Sequence, residues 1–221
     1  MGRPKYTEAE RTRIMTAFIR AARTLIEDEG IEQVSIRKIA ARTGLNSATM
    51  YLYFPDVDVL TTMASMPYLE KYCSTLAADM EETTSPEDRF FRSWDVFSRF
   101  AFADPEIFYH VFYHEHSVPL AEIVDRYYQL YPAQVESVRG SALDLLRAGT
   151  LSERCWTVLW PVAEARGLSE AEANVANEMS VAYFRQLLEA RCKDSADAVK
   201  SEHLTQKLNT ALELLLKQTE N

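Results

Sequence analysis

The sequence predicts an all-α protein, and three observations support that fold class. Apolar residues make up 47% of the 221 residues, which is enough for a packed core. Only 6 glycines and 8 prolines interrupt the chain, whereas an all-β protein needs turns at short intervals. Several segments repeat apolar residues at spacings of three and four, as on the buried face of a helix. We therefore expect a helical N-terminal domain at residues 1–55 and a larger helical domain at residues 56–221.

The composition excludes several classes of protein. The first residues lack the apolar core of a signal peptide, and no apolar run approaches the ~20 residues that a membrane span requires. Cys73, Cys155 and Cys192 are far apart and form no metal-binding pair, so we expect reduced thiols rather than a disulfide framework. These features predict a cytoplasmic protein without a membrane segment.

The charge is distributed unevenly along the chain. A net charge of -9 is unfavourable for binding a polyanion. Residues 1–60 nevertheless contain nine basic and eight acidic residues, so the acidic excess lies in the rest of the chain. Four of these acids surround Gly30, and we expect the basic residues to form a separate face: Arg3, Lys5, Arg11, Arg13, Arg37, Lys38 and Arg42. Charge therefore permits DNA binding without proving it.

Two helices are predicted near the N-terminus. Apolar residues at helical spacing run from Ile14 to Ile26, and Gly30 follows as a residue typical of helix C-termini. Ser35 is a typical N-cap residue, and it precedes a second apolar pattern at residues 36–42.

A third helix follows after a tight turn. The turn Thr43–Asn46 contains Gly44, and the helix is predicted over Ser47–Phe54, before Pro55. Three helices with a short glycine-containing turn between the second and third are typical of a helix-turn-helix, although a purely structural three-helix bundle has the same pattern. The small polar and aromatic side chains of the third helix, without acidic residues that would repel phosphate, favour DNA binding.

The run VSIRKIAARTGLNSATMYLYFPDVDVL at Val34–Leu60 resembles the N-terminal domain of the TetR family of bacterial one-component regulators. The positions at the family's spacing are Ile39, Ala40, Gly44, Leu45, Thr49, Tyr51, Tyr53, Phe54 and Pro55. The resemblance implies a homodimer whose two N-terminal domains bind double-stranded operator DNA. It also implies a helical body that binds a small-molecule effector.

The residues expected to contact DNA form two groups. One group lies on the second and third predicted helices: Ser35, Arg37, Asn46, Ser47, Ala48, Thr49, Tyr51 and Tyr53. The resemblance implies all of these except Asn46, which we add because it belongs to the polar surface of the third helix. The other is an N-terminal arm with Arg3 and Lys5, which either reaches a minor groove or is an ordinary chain end. Tyr51 and Phe54 are as well suited to the hydrophobic core as to the DNA-facing surface.

Val57 departs from the family pattern, which often has a lysine just after the Phe-Pro-Asp turn. Its side chain offers no phosphate contact, so the backbone amides at the start of the next helix must suffice there. We expect either a lower affinity for DNA or a compensating contact from Arg42 or the N-terminal arm.

Residues 56–82 read as one long helix that contains Pro67. A proline inside a helix removes a hydrogen bond and usually kinks the helix. The segment is therefore either a kinked helix that acts as a hinge or two shorter helices.

Aromatic residues are concentrated in residues 90–131, which hold 13 of the chain's 24. Many of them suit a helix core, but their density also suits an aromatic cavity for an apolar or planar ligand. The residues expected to line this cavity are Trp94, Phe97, Phe112, Tyr113, Tyr127, Trp156 and Trp160.

Three histidines offer an alternative function. His110 and His114 are one helical turn apart, a spacing that can bind zinc, and His116 follows. A metal-responsive DNA-binding sensor is therefore the alternative to an effector-responsive regulator, while surface or cavity histidines without a metal are the simpler interpretation. No metal ligand is assigned.

The last two predicted helices indicate a homodimer. Val175, Met179, Ala182/Tyr183, Leu187 and Ala190 form one apolar stripe, and Leu204, Leu208, Ala211/Leu212 and Leu215 form another. Apolar residues remain on their other sides, and these suit a two-fold four-helix interface: Val181, Phe184, Leu188, Leu214 and Leu216.

The sequence thus predicts an effector-responsive repressor, while activation is not distinguished from repression. No Ser-His-Asp order, glycine-rich phosphate loop or paired-carboxylate motif is evident, so neither an enzyme nor a cofactor is expected.

Overall fold

A computed structural model describes residues 6–83, 85–135, 138, 140–194 and 198–217. Over these residues the protein is all-α, with no strand, which confirms the predicted fold class. Arg3 and Lys5 of the predicted arm lie outside the described residues. None of the described helices is both long and apolar enough to cross a bilayer.

Thirteen α-helices account for most of the described chain. They are α1 Glu8–Glu29, α2 Ile36–Thr43, α3 Ser47–Met50, α4 Val57–Ala64, α5 Met66–Glu81, α6 Pro86–Ala103, α7 Pro105–Tyr113, α8 Leu120–Leu130, α9 Pro132–Val135, α10 Ser141–Arg147, α11 Leu151–Ala165, α12 Glu170–Lys193 and α13 Ala198–Lys217.

The chain divides into two compact units. The first unit comprises Met1–Leu69 and Glu115–Arg139, and the second comprises Glu70–His114 and Gly140–Asn221. The predicted division between residues 55 and 56 follows the sequence motif instead, and it stays a prediction about functional domains.

The core of the first unit forms around α1. This helix packs against α2, α4 and α8. Phe18 and Phe54 are 0% and 1% exposed, and their rings meet edge to face with centroids 6.3 Å apart. Arg23 donates hydrogen bonds to the carbonyl of Ala64 and the hydroxyl of Tyr127, at 3.3 and 3.2 Å, so it links α1 to α4 and α8.

The predicted long helix at residues 56–82 is two helices, which is the second alternative drawn from the sequence. Ser65 separates α4 from α5, and Pro67 stands at the start of α5. Proline has no N–H, so the carbonyl four residues earlier loses its helical partner there. The hydroxyls of Thr61 and Ser65 also donate to carbonyls four residues back, at 2.7 and 2.9 Å. Such bonds often bend a helix.

The second unit is organised around α6, which packs against α7, α11, α12 and α13. Its core is aromatic. Phe97 contacts Trp94 and Phe184, with ring centroids 6.1 and 4.9 Å apart, and Phe184 stacks on Phe102 at 5.5 Å. Much of the aromatic density seen in the sequence is therefore core packing.

Much of the prediction for α12 is reversed in the structure, although Leu187 of the predicted stripe is buried as expected. Val175 and Met179 were assigned to the buried stripe, but they are 54% and 50% exposed. Phe184 and Leu188, assigned to the outer side, are fully buried. The buried side also carries Ala173, Ala176, Asn177 and Ser180. These small and polar residues are weak apolar signals, but small side chains let neighbouring helices approach closely.

The prediction for α13 is closer to the structure. Leu208 and Leu212 are buried, and Leu214 remains 56% exposed. Leu216, which was assigned to the outer side, is buried.

Candidate DNA interface and effector cavity

The helix-turn-helix depends on three local features of the sequence. The Ser35 hydroxyl accepts a hydrogen bond from the Lys38 N–H and caps α2. Gly44 ends α2 with φ of 68°, a left-handed conformation that other residues rarely adopt. The Asn46 side chain accepts from the Ala48 N–H at 2.9 Å and starts α3. Together these features fix the turn between α2 and α3.

The third helix is shorter than predicted. It ends at Met50 rather than Phe54, and residues 51–53 continue as turns. Tyr53 and Phe54 both donate their backbone N–H to the carbonyl of Met50, at 2.9 Å. Pro55 accounts for the non-helical conformation of Phe54, because a proline disfavours helical conformation in the residue before it.

An uncharged surface covers the segment from Asn46 to Tyr53, which we call the recognition segment. Tyr51 is 56% exposed and Leu52 is 71% exposed. Phe54 is buried, so Phe54 belongs to the core and Tyr51 to the surface. Three of the other predicted contact residues here are exposed, namely Asn46, Ser47 and Ala48. Thr49 and Tyr53 are half-buried.

The end of the recognition segment is held from α8. Arg126 donates a hydrogen bond of 2.9 Å from Nη2 to the Tyr53 carbonyl. This bond leaves the Tyr53 side chain available for other contacts.

The predicted basic face is smaller than expected. Lys38 pairs with Glu29 at 2.8 Å, and Arg42 pairs with Asp28 and Glu29 at 2.9 and 3.0 Å. The acids near Gly30 therefore pair with two residues of the predicted basic face, Lys38 and Arg42, and partly neutralise it. Arg37 is exposed, and no described acid forms an ion pair with it.

The start of α4 lies beside the recognition segment in sequence. Asp56 caps α4 by accepting from the Val59 N–H at 2.7 Å, and it also accepts from the Ser117 hydroxyl. Burial of the Asp56 carboxyl opposes its ionisation, but these hydrogen bonds outweigh burial and lower its pKa. Val57 is half-buried. Arg42 is held in its ion pairs, which makes it a poor substitute for the missing lysine.

The second unit contains an apolar cavity of about 120 Å³. Its walls come from α5, α6 and α11 together with the end of α10. Tyr72, Trp94 and Phe97 form its aromatic side, and Arg154 and Cys155 belong to α11. A second, more open groove of about 500 Å³ is lined by Glu82, Asp88, Asp95 and Glu213, and these acids do not suit an apolar effector.

The predicted ligand-binding residues divide between several places. Trp94 and Phe97 line the cavity. Phe112 lies under the Arg154 guanidinium, 5.2 Å from it. The hydroxyl of Tyr113 donates to the Val181 carbonyl at 3.4 Å.

The remaining three predicted residues lie elsewhere. Trp156 and Trp160 stack on each other at 5.3 Å and are not among the residues that line the cavity. Tyr127 belongs to the first unit, where its hydroxyl donates to Gln134 at 2.7 Å.

Tyr72 and Arg154 were missed by the sequence argument. Arg154 does carry a weak signal, because the positions three and four residues away, where an acid would form a stabilising pair, hold none. Its neighbours at those spacings are Thr150, Leu151, Thr157 and Val158.

None of the three cysteines is in a disulfide. Burial raises the pKa of the Cys73 and Cys155 thiols to about 12. Both are therefore protonated at neutral pH and are poor nucleophiles and metal ligands.

The rings of His110 and His114 stack at 5.2 Å. His110 is the fourth residue from the end of α7, and His114 follows its last residue. His116 belongs to the first unit. Metal binding by these histidines stays a prediction.

A left-handed glycine turn between α2 and α3, followed by an exposed and uncharged recognition segment, defines a helix-turn-helix DNA-binding transcription regulator. Residues 18–60 match the family described as "Bacterial regulatory proteins, tetR family". This match confirms the resemblance of the N-terminal segment to the TetR family that was drawn from residues 34–60.

Solved structures of similar fold extend over the whole chain. RolR in complex with resorcinol has a TM-score of 0.57 and 15% identity, with 97% of both chains covered. FadR from Thermus thermophilus, a TetR family repressor in complex with lauroyl-CoA, has a TM-score of 0.57 and 17% identity, with 91% of this chain and 93% of that chain covered. FadR from Bacillus subtilis in complex with stearoyl-CoA has a TM-score of 0.51 and 15% identity, with 91% and 97% covered. At these identities the similarity concerns the fold alone. No curated protein sequence matches the chain.

Proposed function

We propose that this protein is an effector-responsive repressor that binds a pseudo-palindromic operator as a homodimer. The observation that carries this proposal is the recognition segment, whose exposed side chains are uncharged and, apart from Leu52, polar, small or aromatic. Small side chains let a helix enter a major groove, and hydroxyl and amide groups form hydrogen bonds with base edges and phosphates. Arg37 on α2 supplies a charged contact beside it.

A homodimer is favoured because one short recognition segment contacts too few base pairs for specific binding. Two N-terminal domains about 34–36 Å apart would reach successive major grooves. The exposed apolar residues Val175, Met179 and Leu214 on α12 and α13 offer the surface for such a dimer.

The cavity of the second unit is the proposed effector site. Its aromatic and aliphatic walls suit a small apolar or aromatic molecule. RolR, which shares the fold, binds the single-ring compound resorcinol. A ligand of that size fits this cavity better than the long acyl chains bound by the two FadR proteins.

Release of DNA follows from unequal binding of the effector to two states of the protein. Tyr72 and Leu76, two residues of the cavity, lie on α5, and α5 follows α4 through the break at Ser65. We propose that the effector favours a different arrangement at this break. Operator and effector must then weaken each other's binding by the same factor.

The DNA-binding function is tested by Arg37→Ala, with Arg99→Ala as the control. Both changes remove one exposed positive charge, but Arg99 lies on α6 in the second unit. Fluorescence anisotropy with DNA from upstream of the gene is expected to show a loss of about 1–3 kcal/mol of binding free energy for Arg37→Ala only. Equal affinities for the two variants, or no specific binding by the unchanged protein, would contradict the proposal.

Restoring the family's lysine should strengthen DNA binding. Val57→Lys adds a phosphate contact at the start of α4, so its affinity is expected to rise and the salt dependence of log K to steepen by about one. Ala103→Lys adds the same charge at the exposed end of α6 and serves as the control. An unchanged salt slope for Val57→Lys would refute a phosphate contact at this position.

A further inference from the structure

Two buried N–H groups that make no hydrogen bond of good geometry belong to residues of the effector cavity: Nε1 of Trp94 and Nη1 of Arg154. The Cys155 thiol lies near Trp94, and the Tyr72 hydroxyl and the Cys73 thiol lie near Arg154, so the neighbouring groups satisfy these donors only in part. Buried polar groups in folded proteins nearly always have a partner, so two unsatisfied donors at one cavity are unusual. Both groups donate, and a molecule that satisfied them would have to supply acceptors.

The remaining donors of Arg154 are used by the backbone. Its Nε donates to the Gly149 carbonyl at 3.1 Å, and its Nη2 donates to the carbonyls of Ala148 and Leu146 at 2.6 and 3.3 Å. The Phe112 ring lies 5.2 Å from the guanidinium. These contacts fix the plane of the guanidinium and leave Nη1 as its unsatisfied group.

The positive charge of Arg154 is not balanced by a nearby carboxylate. No described Asp or Glu forms an ion pair with it, and none lines the cavity. Arginine stays protonated in proteins, and the carbonyls at the end of α10 offset only part of its charge. Burial raises the pKa of the Tyr72 hydroxyl, and the Arg154 charge opposes that rise. The cavity is therefore electropositive as well as apolar.

The volume of the cavity limits the size of a ligand. An apolar cavity of roughly 150 Å³ accommodates benzene. The cavity here is about 120 Å³, which is smaller than that, and it is partly open, so it holds at most a single ring whose substituent would lie at the opening. Tyr72, Phe97 and Leu76 offer apolar surface against which a ring can pack.

We propose that the effector is a single-ring aromatic carboxylate whose carboxylate accepts hydrogen bonds from Arg154 and Trp94. This inference rests on the proposed function, because it names the effector class of the same site. The carboxylate would satisfy Nη1 of Arg154 and Nε1 of Trp94, and the ring would occupy the apolar part of the cavity. Because its backbone contacts hold Arg154 in place, a rotamer change of Trp94, of the kind common on binding, would bring the second donor to the carboxylate.

The test compares benzoate with benzamide, which has nearly the same shape and no charge at pH 7. Calorimetric titration of the full chain without DNA is expected to show benzoate binding at least about tenfold more tightly, as charge-assisted hydrogen bonds imply. Arg154→Met should remove this preference. Arg92→Met, which replaces an exposed arginine of α6, should keep it.

A second variant keeps the test decisive if Arg154→Met does not fold. Trp94→Phe removes one N–H and is expected to reduce the benzoate preference by roughly threefold or more. Equal binding of the two probes, binding of neither, or a preference that survives in whichever of the two cavity variants folds would overturn the inference.

Failure of this inference differs from failure of the proposed function. If the protein binds operator DNA but shows no benzoate preference, the regulator stands and the effector class is wrong. If benzoate binds with the expected preference but never weakens operator binding, the ligand site stands and the proposed release mechanism fails.

Discussion

Replacing Phe54 by alanine is expected to lower the free energy of unfolding of the first unit by about 3–5 kcal/mol. Phe54 is 1% exposed and packs edge to face on Phe18, so truncation leaves a cavity in the centre of the helix-turn-helix. Urea denaturation followed by far-UV circular dichroism measures the change. The variant is also expected to lose operator binding, because Phe54 fixes the end of the recognition segment.

Tyr51→Ala is the control for this prediction. Tyr51 is an aromatic residue three positions away, but it is 56% exposed. Its loss is expected to change the stability by less than about 0.5 kcal/mol while weakening DNA binding. A Phe54→Ala protein as stable as the Tyr51→Ala protein would show that this packing contributes little.

The second large effect is expected from Met179→Glu. Met179 is 50% exposed on α12, and a charge there disfavours burial against a second copy of the chain. Sedimentation should show monomers, and operator affinity should fall by about a hundredfold or more because a monomer loses the second binding site.

Asn174→Glu introduces the same charge on an exposed part of α12, about 140° around the helix from Met179. It is expected to leave the dimer intact. A Met179→Glu variant that remains dimeric and binds operator normally would contradict the proposed interface.

The helix-turn-helix was predictable because its sequence signals are local. Ser35, Gly44 and Asn46 act through the backbone conformation and capping of their own helices, and the sequence displays these properties directly. Even there the end of α3 differs from the prediction: Pro55 restricts only Phe54, and the sequence carries no clear signal that the helix ends at Met50.

The cavity of the second unit was harder to predict because it depends on contacts between distant parts of the chain. Trp94 and Phe97 were expected there, but periodicity does not distinguish an aromatic residue that lines a cavity from one that packs in the core. Tyr127 shows this, since its hydrogen bonds to Arg23 and Gln134 lie in the first unit. The sequence did not show which side of α12 is buried, for a related reason. The small residues on its buried side contribute little to an apolar pattern.

The ion pairs of Lys38 and Arg42 with Asp28 and Glu29 have a consequence for how the protein searches a chromosome. Each cation held by an acid releases fewer counterions when the protein meets DNA of any sequence. A genome offers roughly 10⁶–10⁹ competing sites, and weak attachment to them leaves more of the protein free. Under the proposed function, the same pairing that shrinks the basic face favours occupancy of the operator over non-specific DNA, at the expense of sliding along the duplex.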